Sequence, residues 1–111
     1  MAHTLQHQIL ARALELIQDN EHWTRAALTR QLDDKVCHWA HPYAYKYCAM
    51  GALCRATMEI VGEAPSVAHW TSEAARRVVA VNNRHFERLP IINDTEGHAV
   101  IVEMFKKALA D

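Results

Sequence analysis

Cys48, His98 and the pair Asn93-Asp94 are the residues of this chain whose types could together catalyse a reaction. Cysteine-dependent hydrolases and transferases need a thiolate, a histidine that takes its proton, and an Asn or Asp that orients the imidazole. Cys48 falls near the start of a predicted helix, and a helix N-terminus lowers the pKa of a thiol. The same residues also have a structural interpretation, which we favour. A buried cysteine is an ordinary small core residue, and Asn-Asp is a common helix cap.

A second group of reactive side chains comprises Cys37, His38 and His41, with Cys48 and Cys54 further along the chain. Structural zinc sites use four thiolate or imidazole ligands in a tetrahedron. Paired Cys-x2-Cys units are missing here, and helical residues six apart point to different sides. We therefore expect no metal and no other cofactor, and Cys37, His38 and His41 are the candidate ligands if a metal is bound.

Aromatic side chains are concentrated between the first helix and the middle of the chain. Trp39, Tyr43 and Tyr47 are the candidate binding residues among them, because Trp and Tyr dominate the energetics of protein interfaces. The alternative, which we favour about two to one, is that these rings close the core under a long connection.

Composition narrows the classes of protein that the chain could represent. It has 111 residues, 50% of them hydrophobic and 23% charged, which predicts one folded domain over 1–111. The net charge of −1 makes nucleic acid an unlikely partner, and no apolar run approaches the ~20 residues that span a bilayer. Three cysteines, an odd number, and an N-terminus unlike a signal peptide predict free thiols in the cytoplasm.

Hydrophobic spacing predicts an all-α fold, a compact bundle of four main helices with an irregular arm between helices 1 and 2. The predicted helices span 4–19, 44–61, 66–81 and 95–110, and 82–93 is predicted to be a loop. Thr4 should cap the first helix, Gly62 should end the second, and Pro65-Ser66 should open the third. The arm, residues 21–43, is predicted to be irregular or a short helix. An alternative is two short strands, 27–31 and 36–40, joined around Asp33-Asp34.

Two positions carry specific expectations about packing. Gly51 is unfavourable inside a helix by about 1 kcal/mol relative to Ala, so a close helix crossing or backbone approach should explain its presence. Asp94 should be the N-cap of the last helix, which places His98 in the first turn, four residues further on. The imidazole would then lie within reach of the Asp94 carboxylate.

Three short motifs give the chain a resemblance to a family of small uncharacterised all-helical bacterial and phage domains. The first is Trp23-Thr24 after the first helix, and the second is the run YCAMGAL at 47–53. The third comprises Asn93-Asp94, His98, Val102, Phe105 and Ala108. The resemblance covers the whole chain and implies a helical fold, but it carries no activity that can be transferred.

These observations predict a small non-catalytic cytoplasmic domain that binds another molecule or protein. The alternative is a cysteine-dependent hydrolase or transferase that uses Cys48 and His98. A homodimer is a further expectation, because a four-helix domain of this size has a limited interior for so many apolar residues. No membrane association is expected.

Overall fold

The computed structural model describes residues 4–62, 66–81 and 88–110, with only the backbone for 66–68. Five α-helices lie within these ranges: α1 (Leu5–Ile17), α2 (Ala49–Val61), α3 (Ser66–Ala80), α4 (Leu89–Glu96) and α5 (His98–Ala110). A 3-10 turn (Asn20–His22) and two short strands, β1 (Thr29–Arg30) and β2 (Lys46–Tyr47), lie between α1 and α2. The prediction of a mostly helical chain is confirmed, but the described residues contain five helices rather than four.

The first helix follows the prediction closely. Thr4 caps it, with its hydroxyl oxygen accepting from the backbone N–H of His7 at 3.1 Å. The apolar stripe at three- and four-residue steps is buried and faces the core: Ile9, Leu10, Ala13 and Ile17.

The second helix begins at Ala49 rather than at 44, where the sequence predicted its start. Residues 45–48 are extended instead, because their backbone pairs with the arm. The N–H of Tyr45 donates to the carbonyl of Arg30 at 2.9 Å, and that of Cys48 donates to Leu28 at 3.0 Å. These bonds from a distant part of the chain override the local helical pattern. Gly62 ends the helix with φ 98°, as predicted.

The arm contains short strand pairings and no α-helix among its residues. β1 and β2 are antiparallel, with Thr29 opposite Tyr47. An isolated antiparallel bridge joins Arg30 to Val36, so the chain reverses around Asp33-Asp34. The short-helix prediction is wrong, and the alternative of two strands is correct only for this bridge.

The last part of the chain departs from prediction at Asp94. This residue lies inside α4 and is not an N-cap, and the final helix starts at His98 rather than at 95. Gly97 separates the two helices with φ 92° and ψ 177°, a conformation essentially restricted to glycine. Pro90 is tolerated in α4 because it occupies the first turn, where its missing N–H has no helical partner. The predicted loop 82–93 is therefore helical from Leu89, while 82–87 and Pro65 lie outside the described residues.

The core forms where α1 and α2 pack on each other and on α3 and α5. Its largest fully buried side chains include Phe105, Leu53, Ile101 and Met104. Small residues of α2, Ala49, Ala52 and Ala56, allow its neighbours to approach closely. None of the described helices is both long and apolar enough to cross a membrane.

Candidate functional site

Asn93 is a fully buried polar residue that joins three segments of the chain. Its Oδ1 accepts from the indole Nε1 of Trp23 at 2.8 Å and from the backbone N–H of Ala49 at 2.9 Å. Its Nδ2 donates to the carbonyl of Thr24 and to Asp94 Oδ1, both at 3.1 Å. Because Ala49 is the first residue of α2, Asn93 satisfies an N–H that has no partner within that helix.

Asp94 fixes the arm against α4. Its Oδ1 accepts from the backbone N–H of Ala26 at 2.9 Å, and Ala26 has φ 63°, which is uncommon for a residue other than glycine. The Arg25 guanidinium also contacts Asp94, donating to its backbone carbonyl at 3.3 Å. It lies 5.0 Å from the centre of the Trp23 ring. In the described part of the chain, the Asp94 carboxylate and the His98 imidazole form no hydrogen bond with each other, contrary to the prediction.

Cys48 is the N-cap of α2. Its Sγ accepts from the backbone N–H of Gly51 at 3.3 Å, and the residue is only 2% exposed. Burial raises the pKa of the Cys48 thiol, and the charge of Asp94 raises it further, although the backbone N–H groups of Gly51 and Met50 act in the opposite direction. The predicted lowering by the helix N-terminus is therefore outweighed by loss of solvent.

His98 lies at the start of α5 and uses its imidazole to cap another helix. Its Nε2 lies 2.6 Å from the carbonyl oxygen of Ile17, the last residue of α1, so Nε2 carries the proton and donates it to this bond. The ring also lies 5.6 Å from that of Trp23. Within the described parts of the chain, no hydrogen bond joins His98 to Cys48.

The candidate catalytic set thus lies in one neighbourhood, with its polar atoms bonded to helix ends and to the arm. Asn93 and Cys48 serve the N-terminus of α2, and His98 serves the C-terminus of α1. Every buried side-chain nitrogen and oxygen in the described residues has a hydrogen-bond partner. These hydrogen bonds hold the arm, α1, α2 and α4 together.

The candidate metal ligands do not converge. Cys37 Sγ donates to Thr29 Oγ1 at 3.6 Å. His38 Nδ1 accepts from the N–H of Ala40, and His41 Nδ1 accepts from the N–H of Tyr43, each at 3.0 Å. Over the described ranges, no group of three or more His, Cys, Asp or Glu side chains could hold a metal ion.

The three candidate binding residues occupy different environments. Tyr47 lies in the core at 5% exposure, with its hydroxyl donating to the carbonyl of Ala44 at 3.3 Å. Trp39 is half-buried and packs on His38, with ring centres 4.5 Å apart. Tyr43 is 74% exposed. Only Tyr43 of the three is largely open to solvent.

Tyr43 contributes to an open cleft of about 560 Å³ that we call the Tyr43 cleft, formed by residues 31–33 on one side and 42–45 on the other. Its walls are mainly apolar, with Leu32 68% exposed and with Pro42 and Tyr45 beside Tyr43. Tyr43 and Tyr45 belong to the aromatic group recognised in the sequence, whereas Leu32 was not expected here. The spacing of apolar residues around the Asp33-Asp34 turn was the available signal, but only the folded arm brings the two segments together.

Hydrogen bonds hold the two sides of the Tyr43 cleft in place. The N–H of Tyr45 donates to Arg30 across the strands, and the N–H of Ala44 donates to His41 at 3.0 Å. From α2, the Arg55 guanidinium reaches the carbonyls of Trp39 and His41, each at 3.3 Å. The cleft therefore belongs to an arm that is fastened to the helical core.

Comparison with known proteins adds a family assignment. No curated protein and no solved structure matches the chain significantly. One family model matches it over residues 1–111, its entire length. The chain therefore belongs to a family of unknown function, DUF6197.

Proposed function

We propose that this protein is a small, non-catalytic, cytoplasmic interaction domain that binds a segment of another protein in the Tyr43 cleft. The observation that carries this proposal is the exposure of Tyr43 and Leu32 on facing sides of one cleft. Tyrosine supplies a large contact area with few rotatable bonds, so it is suited to anchoring a partner.

The distribution of exposed apolar side chains supports the same surface. Among the described residues, the large hydrophobic side chains with the greatest exposure are Tyr43, Leu32 and Val36, and all three belong to the arm. Leu32 and Tyr43 line the same cleft, and solvated apolar groups so placed favour contact with another molecule, because association removes them from water.

The contacts of the cysteine-histidine set favour a structural role over catalysis. A nucleophilic cysteine is usually a partly exposed thiolate with a lowered pKa, whereas Cys48 is buried and the pKa of its thiol is raised. The Nε2–H of His98 donates its hydrogen bond to the backbone carbonyl of Ile17. The three cysteines are free thiols, which is compatible with the proposed cytoplasmic location.

The proposal can be tested by selecting random peptides displayed on phage against the folded protein. Wild type is compared with Tyr43→Ala and Leu32→Ala, which remove the cleft anchors from exposed positions and should leave folding intact. Ile91→Ala is the matched control, because Ile91 is 57% exposed but lies in α4. Circular dichroism first establishes that all four proteins have the same helix content.

We expect peptides that bind wild type and Ile91→Ala but lose binding to both cleft variants. Failure to select any peptide, or selection of peptides that bind the cleft variants equally well, would overturn the proposal.

A further inference from the structure

The geometry points to the chemical class of segment that the Tyr43 cleft binds: an extended, proline-rich segment of another protein that carries an arginine. This inference rests on the proposed function, since it describes the occupant of the same cleft. It depends on two features of the walls, their aromatic and proline side chains and the position of their one charged residue.

The wall formed by 42–45 presents side chains that suit proline. Pro42, Tyr43 and Tyr45 lie on this side, and Leu32 faces them from the other. Proline-rich segments adopt the polyproline II conformation before binding, and they dock into grooves lined by aromatic side chains. Such a segment loses little conformational entropy on binding, which suits a shallow, open site.

The fixed backbone of this wall adds to the fit. His41 accepts from the N–H of Tyr43 at 3.0 Å, while Arg55 holds the carbonyl of His41 at 3.3 Å. The phenol of Tyr45 is directed to Glu21, with its hydroxyl 3.4 Å from Oε1. These bonds fix the backbone of the wall and the Tyr45 ring, which lowers the conformational cost of binding a rigid ligand.

The charge in the cleft favours a cation on the partner. Among the described residues that line the Tyr43 cleft, Asp33 alone is charged. Its contact with Lys35 is 4.0 Å long, and both side chains are largely exposed, so this pair contributes little and can be exchanged. The faces of tyrosine rings also attract cations. Arginine suits both partners, because its planar guanidinium pairs with a carboxylate and stacks on an aromatic ring.

Two other charged side chains near the cleft are bonded within the protein. Asp34 binds Lys46 at 2.6 Å, and Arg30 donates to the backbone carbonyl of Asp34 at 3.0 Å. Asp33 Oδ1 accepts from the backbone N–H of Lys35 at 3.1 Å, but its carboxylate is 56% exposed and keeps lone pairs for a cation of the ligand.

The inference is tested with one labelled synthetic peptide, acetyl-Arg-Ala-Leu-Pro-Pro-Leu-Pro-amide, whose binding is followed by fluorescence anisotropy. Two control peptides replace either all three prolines by alanine or the arginine by glutamate. We expect each replacement to weaken binding about tenfold, and Tyr43→Ala to weaken binding of the parent peptide by a similar factor. Ile91→Ala should leave its affinity unchanged.

Asp33→Asn separates the charge from the shape of the cleft. This variant should weaken binding of the arginine peptide several-fold, while the glutamate peptide should lose no further affinity. Equal binding of the three peptides to wild type, or no binding of the parent peptide at millimolar concentration, would overturn the inference.

The proposed function and its narrower form fail in different ways. Selected peptides that depend on Tyr43 and Leu32 but contain neither proline nor arginine would preserve the interaction domain and reject the proline-rich class. A concentration-dependent dimer that Tyr43→Ala converts to monomer, measured by light scattering, would assign the cleft to a second copy and also reject this class.

Discussion

The amide of Asn93 uses all four of its hydrogen-bonding positions inside the protein. Both bonds to Oδ1 and both bonds from Nδ2 are present, to partners in the arm, α2 and α4. A neutral side chain with two donors and two acceptor positions fits this place, whereas a carboxylate would have no donor for Thr24. At the scale of the residue, the site is therefore explained by satisfaction of buried polar groups.

Replacing Asn93 should destabilise the protein strongly. Asn93→Ala leaves the indole N–H of Trp23 and the backbone N–H of Ala49 without their partner, at about 1–3 kcal/mol for each unsatisfied group. We expect a loss of about 2–5 kcal/mol in the free energy of unfolding by urea. Thr95→Ala, an exposed change in the same helix, is the control and should cost less than about 1 kcal/mol. An unaltered midpoint for Asn93→Ala would contradict the role given to this amide.

The reactivity of Cys48 distinguishes its structural role from a catalytic one. Because burial raises the pKa of its thiol, iodoacetamide at neutral pH should modify the partly exposed Cys37 first and Cys48 only on unfolding. Mass spectrometry of the digested protein locates the modification. Modification of Cys48 in the native protein faster than Cys37 would instead support the cysteine-dependent enzyme.

Cys54 should make stability depend on alkaline pH. Burial raises the pKa of its thiol from 9.0 to about 11 in the folded protein. The folded state therefore holds the proton more tightly than the unfolded state, so its contribution is complete below pH 9 and is lost as the pH rises to about 11. Wild type should lose up to about 2 kcal/mol more than Cys54→Ala over this interval. Identical pH profiles of stability for wild type and Cys54→Ala would contradict the assignment.

At the scale of the elements, Gly51 determines how the arm meets α2. A Cβ at this position would collide with the carbonyl oxygen of Leu28 and lie 2.8 Å from its carbonyl carbon. The same carbonyl accepts from the N–H of Cys48, so it cannot move without breaking the attachment of the arm. The expected close backbone approach is confirmed, although the approaching segment belongs to the arm and not to another helix.

Gly51→Ala should therefore destabilise the protein even though alanine is the better helix former. We expect a net loss of about 1–3 kcal/mol in the free energy of unfolding, typical of overpacking, and a larger loss for Gly51→Leu. Thermal unfolding followed by circular dichroism gives the comparison with wild type. An unchanged or higher melting temperature for Gly51→Ala would show that the arm does not press on α2 at this point.

The helices and strands differ in how far their positions could be predicted from the sequence. The apolar stripe and Thr4 cap of α1 are local features, and both were predicted. The start of α2 and the pairing of the arm depend on backbone bonds between residues some fifteen to twenty positions apart, such as Cys48 with Leu28, which no local pattern contains. Asp94 is a residue type that commonly caps helices, but the break between α4 and α5 falls at Gly97, three residues later.

For the candidate site, the sequence supplied residue types but not contacts. Cys48, Asn93, Asp94 and His98 were named together from residue types as a candidate catalytic set, and that role stays a prediction. Their observed hydrogen bonds go to the N-terminus of α2, the arm and the C-terminus of α1. The contributions of Trp23 and Arg25 could not be inferred, because they arise from long-range contacts with α4.

At the scale of the whole molecule, the polar cluster and the Tyr43 cleft have complementary roles. The cluster around Asn93 fastens the beginning of the arm to α2 and α4, and Arg55 fastens its end to α2. The two segments that line the Tyr43 cleft, 31–33 and 42–45, flank the Arg55 attachment along the chain, and Leu32 and Tyr43 present apolar side chains to solvent there. A firmly held arm can present a binding surface without rearrangement of the helical core.

The most direct test of this account is a map of backbone amide chemical-shift changes when a peptide selected on the wild-type protein is added. The account predicts that the largest changes fall on 31–33 and 43–45 and that Tyr43→Ala abolishes them, whereas Ile91→Ala preserves them. Chemical-shift changes centred on Cys48, Asn93 and His98, with the Tyr43 cleft unaffected, would contradict it. The cysteine-histidine set would then be the binding site.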